Sequence, residues 1–474
     1  MKRGFFSSGL SGIAAVLVAS MPAAGADLLS VYDRALVNDP QIREAEANRM
    51  AQREARPQAI ATLLPQVSAT AGRSRDWSDG TGFSQFTFAG SPTPTTSNTG
   101  GDSINNNDRW GLQIRQSVFS WNNWVALRTA SHEVAQAEAD YLAQEQALAQ
   151  RVAQQYFAVL NAQDTVAAQE AARNAITRQL EQSERRFEVG LIAITDVQDA
   201  RAERDSAAAQ VIAAKRALAS AEEQLRATIG EKPSGLNAPA EDMPLLAPTP
   251  AAEEDWVRTS MEQNATLISS RLAADIARES VRTAFGNHLP TVELVAGRTY
   301  SDADGRRTQL NALTQTNQLT NSISETYGKS LALQFNLPIF SGGATQSRVR
   351  QSQQLWIAAK ERLERTSRST ERSARDAYLG VNSEIARVQA LKQALESSRT
   401  ALAATEAGYE VGTRTSVDVL TSRQRLIQAQ TNYSAAKYAY LNNLVQLRLA
   451  AGDLDRKTIE EINRWLTVTP APAP

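Results

Sequence analysis

The chain has 474 residues, no cysteine, two histidines, and 50 Lys plus Arg against 51 Asp plus Glu. The missing cysteines exclude disulfides, thiolate metal sites, thiol catalysis and a lipid-modified cysteine, and the cancelling charges leave no global field to hold nucleic acid. With 21% of residues charged and no apolar run after residue 26 approaching ~18 residues, no transmembrane helix is available, so any membrane crossing must use strands.

The N-terminus reads Met1-Lys2-Arg3, then an apolar run from Ile13 to Ala19, then Ala24-Gly25-Ala26. That is the pattern of a cleavable signal peptide, with cleavage near Ala26 and export from the cytoplasm; the apolar run is too short for an anchor. A helical segment is expected over 28–62, ended at Pro65, because proline removes a backbone donor and restricts its predecessor. A short alternating strand, Gln66 to Ala71, leads into a polar stretch over 74–108, read as a mobile loop. In the returning strand Leu112, Ile114 and Val118 alternate with Gln113, Arg115 and Ser117. Trp110, Trp121 and Trp124 flank it, where an interfacial aromatic girdle would lie.

From Trp121 to Val189 there is neither Gly nor Pro, which predicts about 100 Å of helix. Val134, Tyr141 and Leu148 recur every seven residues, with Val152 and Val159 interleaved. This is the narrow seam of a coiled coil rather than the broad apolar face of a globular helix. Gly190 suits the left-handed conformation that ends such a helix. A helix back to about residue 230 follows, with Thr195 read as its cap and Gln198 three residues on.

The plan then repeats. Residues 255–286 are helical and end at Pro290, Thr291 to Ala296 form a strand, and 299–326 form a second polar loop. In the next strand Leu331, Leu333, Phe335, Leu337 and Ile339 alternate with small or polar residues. A second long helix over about 344–411 ends at Gly412, and its return helix to 451 is capped by Thr415 with Asp418. Gly190 and Gly412, Asp196 and Asp418, and Gln224 and Gln446 are separated by one constant offset, so the chain is an internal duplication with halves 27–230 and 255–452. Strand pairs fall near 66–119 and 291–340, helical hairpins near 121–230 and 344–451, and connecting segments near 231–255 and 453–474.

A sheet in hydrocarbon must close, since unpaired edge groups are not tolerated there, and closed barrels begin at about eight strands. Four strands per chain therefore imply shared barrels: two, three or four copies give eight, twelve or sixteen strands. A soluble sandwich is the competing reading, and four strands make it thin.

The segments Arg186-Phe187-Glu188-Val189-Gly190 with Thr195-Asp196-Val197-Gln198, and Gly408-Tyr409-Glu410-Val411-Gly412 with Asp418-Val419-Leu420, resemble the TolC family of outer-membrane efflux proteins over essentially the whole mature chain. The Leu289-Pro290 and Ile339-Phe340-Ser341-Gly342-Gly343 junctions fit as well. The resemblance implies an α+β membrane protein: a homotrimer with a 12-stranded β-barrel, four strands per chain, in the outer membrane. The barrel would be continuous with a long coiled-coil α-helical barrel in the periplasm, with an equatorial belt from 231–255 and the C-terminal tail. It further implies an exit duct for tripartite efflux pumps and type I secretion, docking to an inner-membrane transporter and a periplasmic adaptor and surrounded by outer-membrane lipids. The alternative is a periplasmic coiled-coil adaptor without a channel.

In that family the periplasmic end is held shut at the hairpin tips, and the matching positions are Thr195, Asp196, Tyr409 and Arg414. Arg414 offers a planar fork of donors to the Asp196 carboxylate, and the Tyr409 hydroxyl can add a neutral bond. In the duplication, Tyr409 stands where the first half has Phe187, and Arg414 where it has Ile192. Asp418 has two readings, a helix cap favoured by the helix dipole or, in three copies, an acidic ring at the entrance; Thr421 stands where a second acidic ring is often found. No catalytic residue, metal or cofactor is expected: His132 and His288 sit in unrelated settings without ligand neighbours at useful spacing.

Overall fold

The computed structural model describes residues 26–87, 89–90, 92–93, 95–233, 235–240, 243–310 and 316–467. The expected signal segment up to Gly25 and the tail beyond Thr467 lie outside the described residues. In chain order the elements are α1 (Leu28–Asn38), α2 (Pro40–Arg53), α3 (Ala55–Ala61), β1 (Gln66–Phe86), β2 (Thr95–Ser120), α4 (Trp121–Glu188), α5 (Ile194–Ile229) and β3 (Ala238–Pro239). They continue with α6 (Glu253–Gln263), α7 (Ala265–Gly286), β4 (Thr291–Leu310), β5 (Asn317–Asn336), α8 (Ala344–Glu410), α9 (Ser416–Ala451), α10 (Arg456–Asn463) and β6 (Leu466–Thr467). Two compact units emerge, one from 45–142 and 265–369, the other from the remaining residues.

The first unit carries one antiparallel sheet in the order β1-β2-β4-β5. Its strands run to 21, 26, 20 and 20 residues, far beyond the short ones read from the sequence. Most of the two expected polar loops is strand: pairing continues from Arg73↔Asp108 to Phe86↔Thr95, and from Thr299↔Gly328 to Leu310↔Asn317. The reason is that ladder hydrogen bonds satisfy backbone donors and acceptors whatever the side chains are. Polar cross-strand contacts supplement them, such as Arg73 with Asp108 at 3.2 Å and Ser78 with Ser103 at 2.7 Å.

The sheet has two unlike faces. On β5 one face presents Ser324, Thr326, Gly328, Ser330, Ala332 and Gln334. The other exposes Leu331 at 75%, Leu333 at 67% and Phe335 at 66%, and register carries it across Ala296, Ile114 and Val67. Farther along that face a ring row crosses three strands, with Trp110 and Tyr300 at 6.0 Å and Tyr300 and Tyr327 at 5.0 Å. The Trp121 indole N–H donates to the Arg282 carbonyl at 3.3 Å, fastening the start of α4 to α7. Leu337 and Ile339 fall beyond the end of β5.

The second unit is helical. Leu148, Val152 and Val159 of the expected seam are fully buried, beside Tyr156, Phe157, Tyr440, Leu441, Val445 and Leu447. β3 and β6 pair antiparallel, so the segment joining the two halves and the C-terminal segment meet. The Tyr440 hydroxyl accepts from the Leu246 N–H and donates to its carbonyl, both at 3.0 Å. Arg375 of α8 reaches Glu253 at 2.7 Å, Glu254 at 2.9 Å and Glu371 at 3.1 Å, and these bonds, that with Glu254 foremost, raise its pKa above the ordinary value.

Tyr156 donates to the Asn237 carbonyl at 2.7 Å, with the Ala26 carbonyl 3.2 Å away, and burial pushes its hydroxyl pKa up. Tyr156→Phe leaves these buried acceptors without their donor. It is expected to cost about 1–3 kcal/mol of stability, read as a lowered denaturation midpoint of the helical signal with an unchanged slope.

Candidate functional site

The hairpin tips are built by two glycine turns. Gly190 and Gly412 have φ of 78° and 79°, a conformation that glycine adopts without a Cβ penalty. In the second tip the Gly408 carbonyl accepts from Thr413 N–H at 2.9 Å, Arg414 N–H at 3.2 Å and the Thr413 hydroxyl at 3.0 Å. A Cβ on Gly408 would stand 2.8 Å from the Arg414 Cγ, so this glycine lets the arginine stem fold back against its own turn.

The two return helices start differently. At α9, Thr415 and Asp418 form a complete capping box: the Asp418 N–H donates to the Thr415 hydroxyl at 3.2 Å, and the Thr415 N–H donates to the Asp418 carboxylate at 3.0 Å. At α5 the cap position belongs to Ala193, with no side-chain bond, and Thr195 lies inside the first turn. The expected cap at Thr195 is thus corrected. The counterpart of Thr415 in the duplication is Ala193, which has no hydroxyl; Thr195 instead corresponds to Val417.

The four candidate gate residues are not all joined within one chain. Tyr409 is buried, its hydroxyl meets no hydrogen-bond partner, and the Arg186 guanidinium lies 4.7 Å from the centre of its ring. Arg414 and Thr195 are exposed and Asp196 is half-buried. Among the described residues no ion pair links Arg414 to Asp196. The contact that sequence reasoning missed is Arg186 over Tyr409. The duplication marks the asymmetry behind it, since Arg186 stands at the position that Gly408 holds in the second half.

Apolar and polar contacts join the hairpins just behind the tips. Leu420 packs with Ile176 and Ala207 and Gln424 donates to Glu203 at 2.6 Å, while Leu180, Val197 and Ala200 pack together within the first hairpin. Several buried polar atoms there lack partners in the chain, namely Gln179 Nε2, Ser183 Oγ and Ser416 Oγ, together with Tyr409 Oη. Buried polar atoms without partners cost stability, and they lie beside the apolar contacts at this end of the hairpins.

The Asp418 carboxylate is held below the usual carboxylate range, chiefly by hydrogen bonds from the Thr415 backbone and hydroxyl, with help from the Arg414 charge. Both Thr415 bonds fall on Oδ2, so the capping box does not use Oδ1. A depressed folded-state pKa stabilises above the unfolded value of about 3.9 and loses that contribution as pH falls through the folded value. Asp418→Asn is therefore expected to reduce hydrogen-exchange protection in the first turn of α9 at neutral pH. The difference from wild type should shrink as pH falls below the ordinary carboxylate range and the Asp418 carboxylate takes up its proton; an undiminished difference would show that charge is not what holds the box.

Among the described residues no helix is long and apolar enough to cross a membrane, and no group of three or more His, Cys, Asp or Glu is placed to hold a metal. The sequence profile described as "Outer membrane efflux protein" matches residues 31–231 and 256–453. The chain is 34% identical to the Outer membrane protein TolC of Vibrio cholerae, covering 93% of this chain and 94% of that one. It is 29% identical to the Alkaline protease secretion protein AprF of Pseudomonas aeruginosa, covering 91% and 86%. Its fold is similar to the crystal structure of the Campylobacter jejuni CmeC outer membrane channel, with a TM-score of 0.69, 18% identity and 98% of each chain covered.

Proposed function

The chain belongs to the outer membrane efflux protein family, and on that premise we propose that three copies close their sheets into one twelve-stranded barrel in the outer membrane. The protein is an exit duct for efflux and type I secretion, as its kinship to channel and protease-secretion proteins indicates. The observation that carries the barrel is the sheet itself. Its outermost strands, β1 and β5, have no further partner among the described residues, one face is apolar and exposed, and the other is small and polar. Such a sheet is stable in lipid only when its edges are paired by other copies.

The helical hairpins would line a periplasmic tunnel whose tips meet an inner-membrane transporter and a periplasmic adaptor. Thr195, Asp196, Tyr409 and Arg414 would close it. The exposure of Arg414 and the absence of an Arg414 to Asp196 pair within the chain support a latch made between neighbouring copies. The Asp418 ring is compatible with the capping box, because the box does not use Oδ1.

The test is reconstitution. Protein extracted from outer membranes should migrate as a trimer and form discrete conductance steps in planar bilayers, and its deletion should abolish export through a co-expressed transporter and adaptor. A soluble, non-conducting product would reject the duct and favour an adaptor.

A further inference from the structure

The apolar side of the sheet carries a charge that no carboxylate balances among the described residues. Arg298 of β4 stands directly opposite Lys329 of β5, both on the face that also bears Leu331, Leu333 and Phe335. Both are exposed, and no carboxylate pairs with either among the described residues. Toward the helix-bearing ends of the strands the next tier is Val67, Ile114, Ala296 and Leu331; away from them it is Ala71, Trp110, Tyr300 and Tyr327. Asp302 and Glu325 come only beyond that aromatic tier, roughly 13 Å along the strand.

Two like charges directly opposite on neighbouring strands destabilise the pair. A lysine or arginine on the lipid face of a barrel is costly as well, unless its head reaches an interface. From Phe335 to Tyr327 the outward face spans about 20 Å of membrane height for a typically tilted strand. The aromatic tier therefore marks the far edge of the apolar band, one tier beyond the basic pair. Side chains of this length can raise their charged ends to that edge, the depth at which lipid phosphates sit.

We infer that Arg298 and Lys329 form a binding site for the phosphate of a membrane lipid in the leaflet away from the helices. The aromatic tier would flank the headgroup, and the tier of Leu331, Ile114 and Val67 would contact its acyl chains. This rests on the barrel reading proposed above. The pairing is charge-assisted, and a planar guanidinium beside a point-charge ammonium can share one phosphate between them.

The experiment uses the delipidated trimer in detergent, titrated with diphosphoryl lipid A and followed by native mass spectrometry. Arg298→Gln with Lys329→Gln is expected to weaken binding about thirtyfold, and each single change about fivefold. Arg306→Gln, on the same face beyond the aromatic tier, should leave binding unchanged, and lipid A stripped of phosphate should bind wild type and double variant alike. Equal binding of diphosphoryl lipid A by wild type and double variant overturns the site, as does an equal loss in Arg306→Gln. Displacement of the lipid by millimolar inorganic phosphate would reveal a generic anion site and also overturn it. Conductance of each variant is measured alongside: a conducting double variant with wild-type lipid binding refutes the lipid site alone, whereas a non-conducting wild type removes the barrel premise with it. If the double variant does not assemble, the two single variants carry the test.

Discussion

In planar bilayers the Tyr409→Phe, Arg414→Ser double variant is expected to conduct about fivefold more than wild type, or higher, because a closed tip spends more time open. The expectation rests on how the two side chains are held. The Tyr409 ring is buried under the Arg186 guanidinium, yet its hydroxyl has no partner within the chain. Phenylalanine keeps the ring contact and removes a buried hydroxyl that has no partner within the chain, so the larger part of the effect is assigned to Arg414. Arg414 is exposed on a turn fixed by main-chain bonds to Gly408, so serine shortens the reach without unfolding the turn. Partly exposed contacts of this kind are worth about 1 kcal/mol each, and threefold repetition makes the sum large enough to matter. Unchanged conductance in a correctly assembled trimer would remove both residues from the gate.

Leu333→Arg is expected to abolish the outer-membrane trimer. Leu333 lies in the middle of the apolar tiers and is 67% exposed in the single chain. Placing arginine at the midplane of a barrel costs about 2–4 kcal/mol, and three copies approach the whole stability of an ordinary domain, about 5–15 kcal/mol. The variant should vanish from the outer-membrane fraction and lose its heat-resistant trimer band. Ser330→Arg, on the opposite face of the same strand, should still assemble and should alter conductance instead. A wild-type trimer yield for Leu333→Arg would mean that this face does not meet lipid.

The helices were legible because their signals are dense. A seven-residue recurrence of apolar residues, long stretches without Gly or Pro, and glycines at the turns fix α4, α5, α8 and α9 to within a few residues. The outer two-thirds of the strands were not legible, since residues such as Asn105, Asn106, Asn107 and Asp108 carry no alternation of apolar and polar, and pairing between main chains leaves no trace in side-chain pattern. The cap of α5 was misplaced for a different reason. A threonine near a helix start is a general signal, but the duplication is the sharper one, and it points to Ala193. Trp121 shows the same limit in an aromatic residue, whose place at an interface or in a helix contact depends on partners far away in sequence. The candidate gate residues were named in the sequence only as positions; that Arg186 covers Tyr409, and that Arg414 and Asp196 are not paired within one chain, depends on tertiary contacts that leave no local sequence pattern.

Beyond the row of Trp110, Tyr300 and Tyr327 the sheet continues for many residues on ladder hydrogen bonds. There it depends on neither an apolar core nor a fixed set of side chains. Such a region can accept almost any substitution that spares the strand, so it is free to drift in sequence, whereas on the barrel reading proposed above the apolar tiers are constrained by lipid. The exposed rim of this protein is therefore where lineages should differ most and where an inserted epitope or affinity tag should be tolerated best.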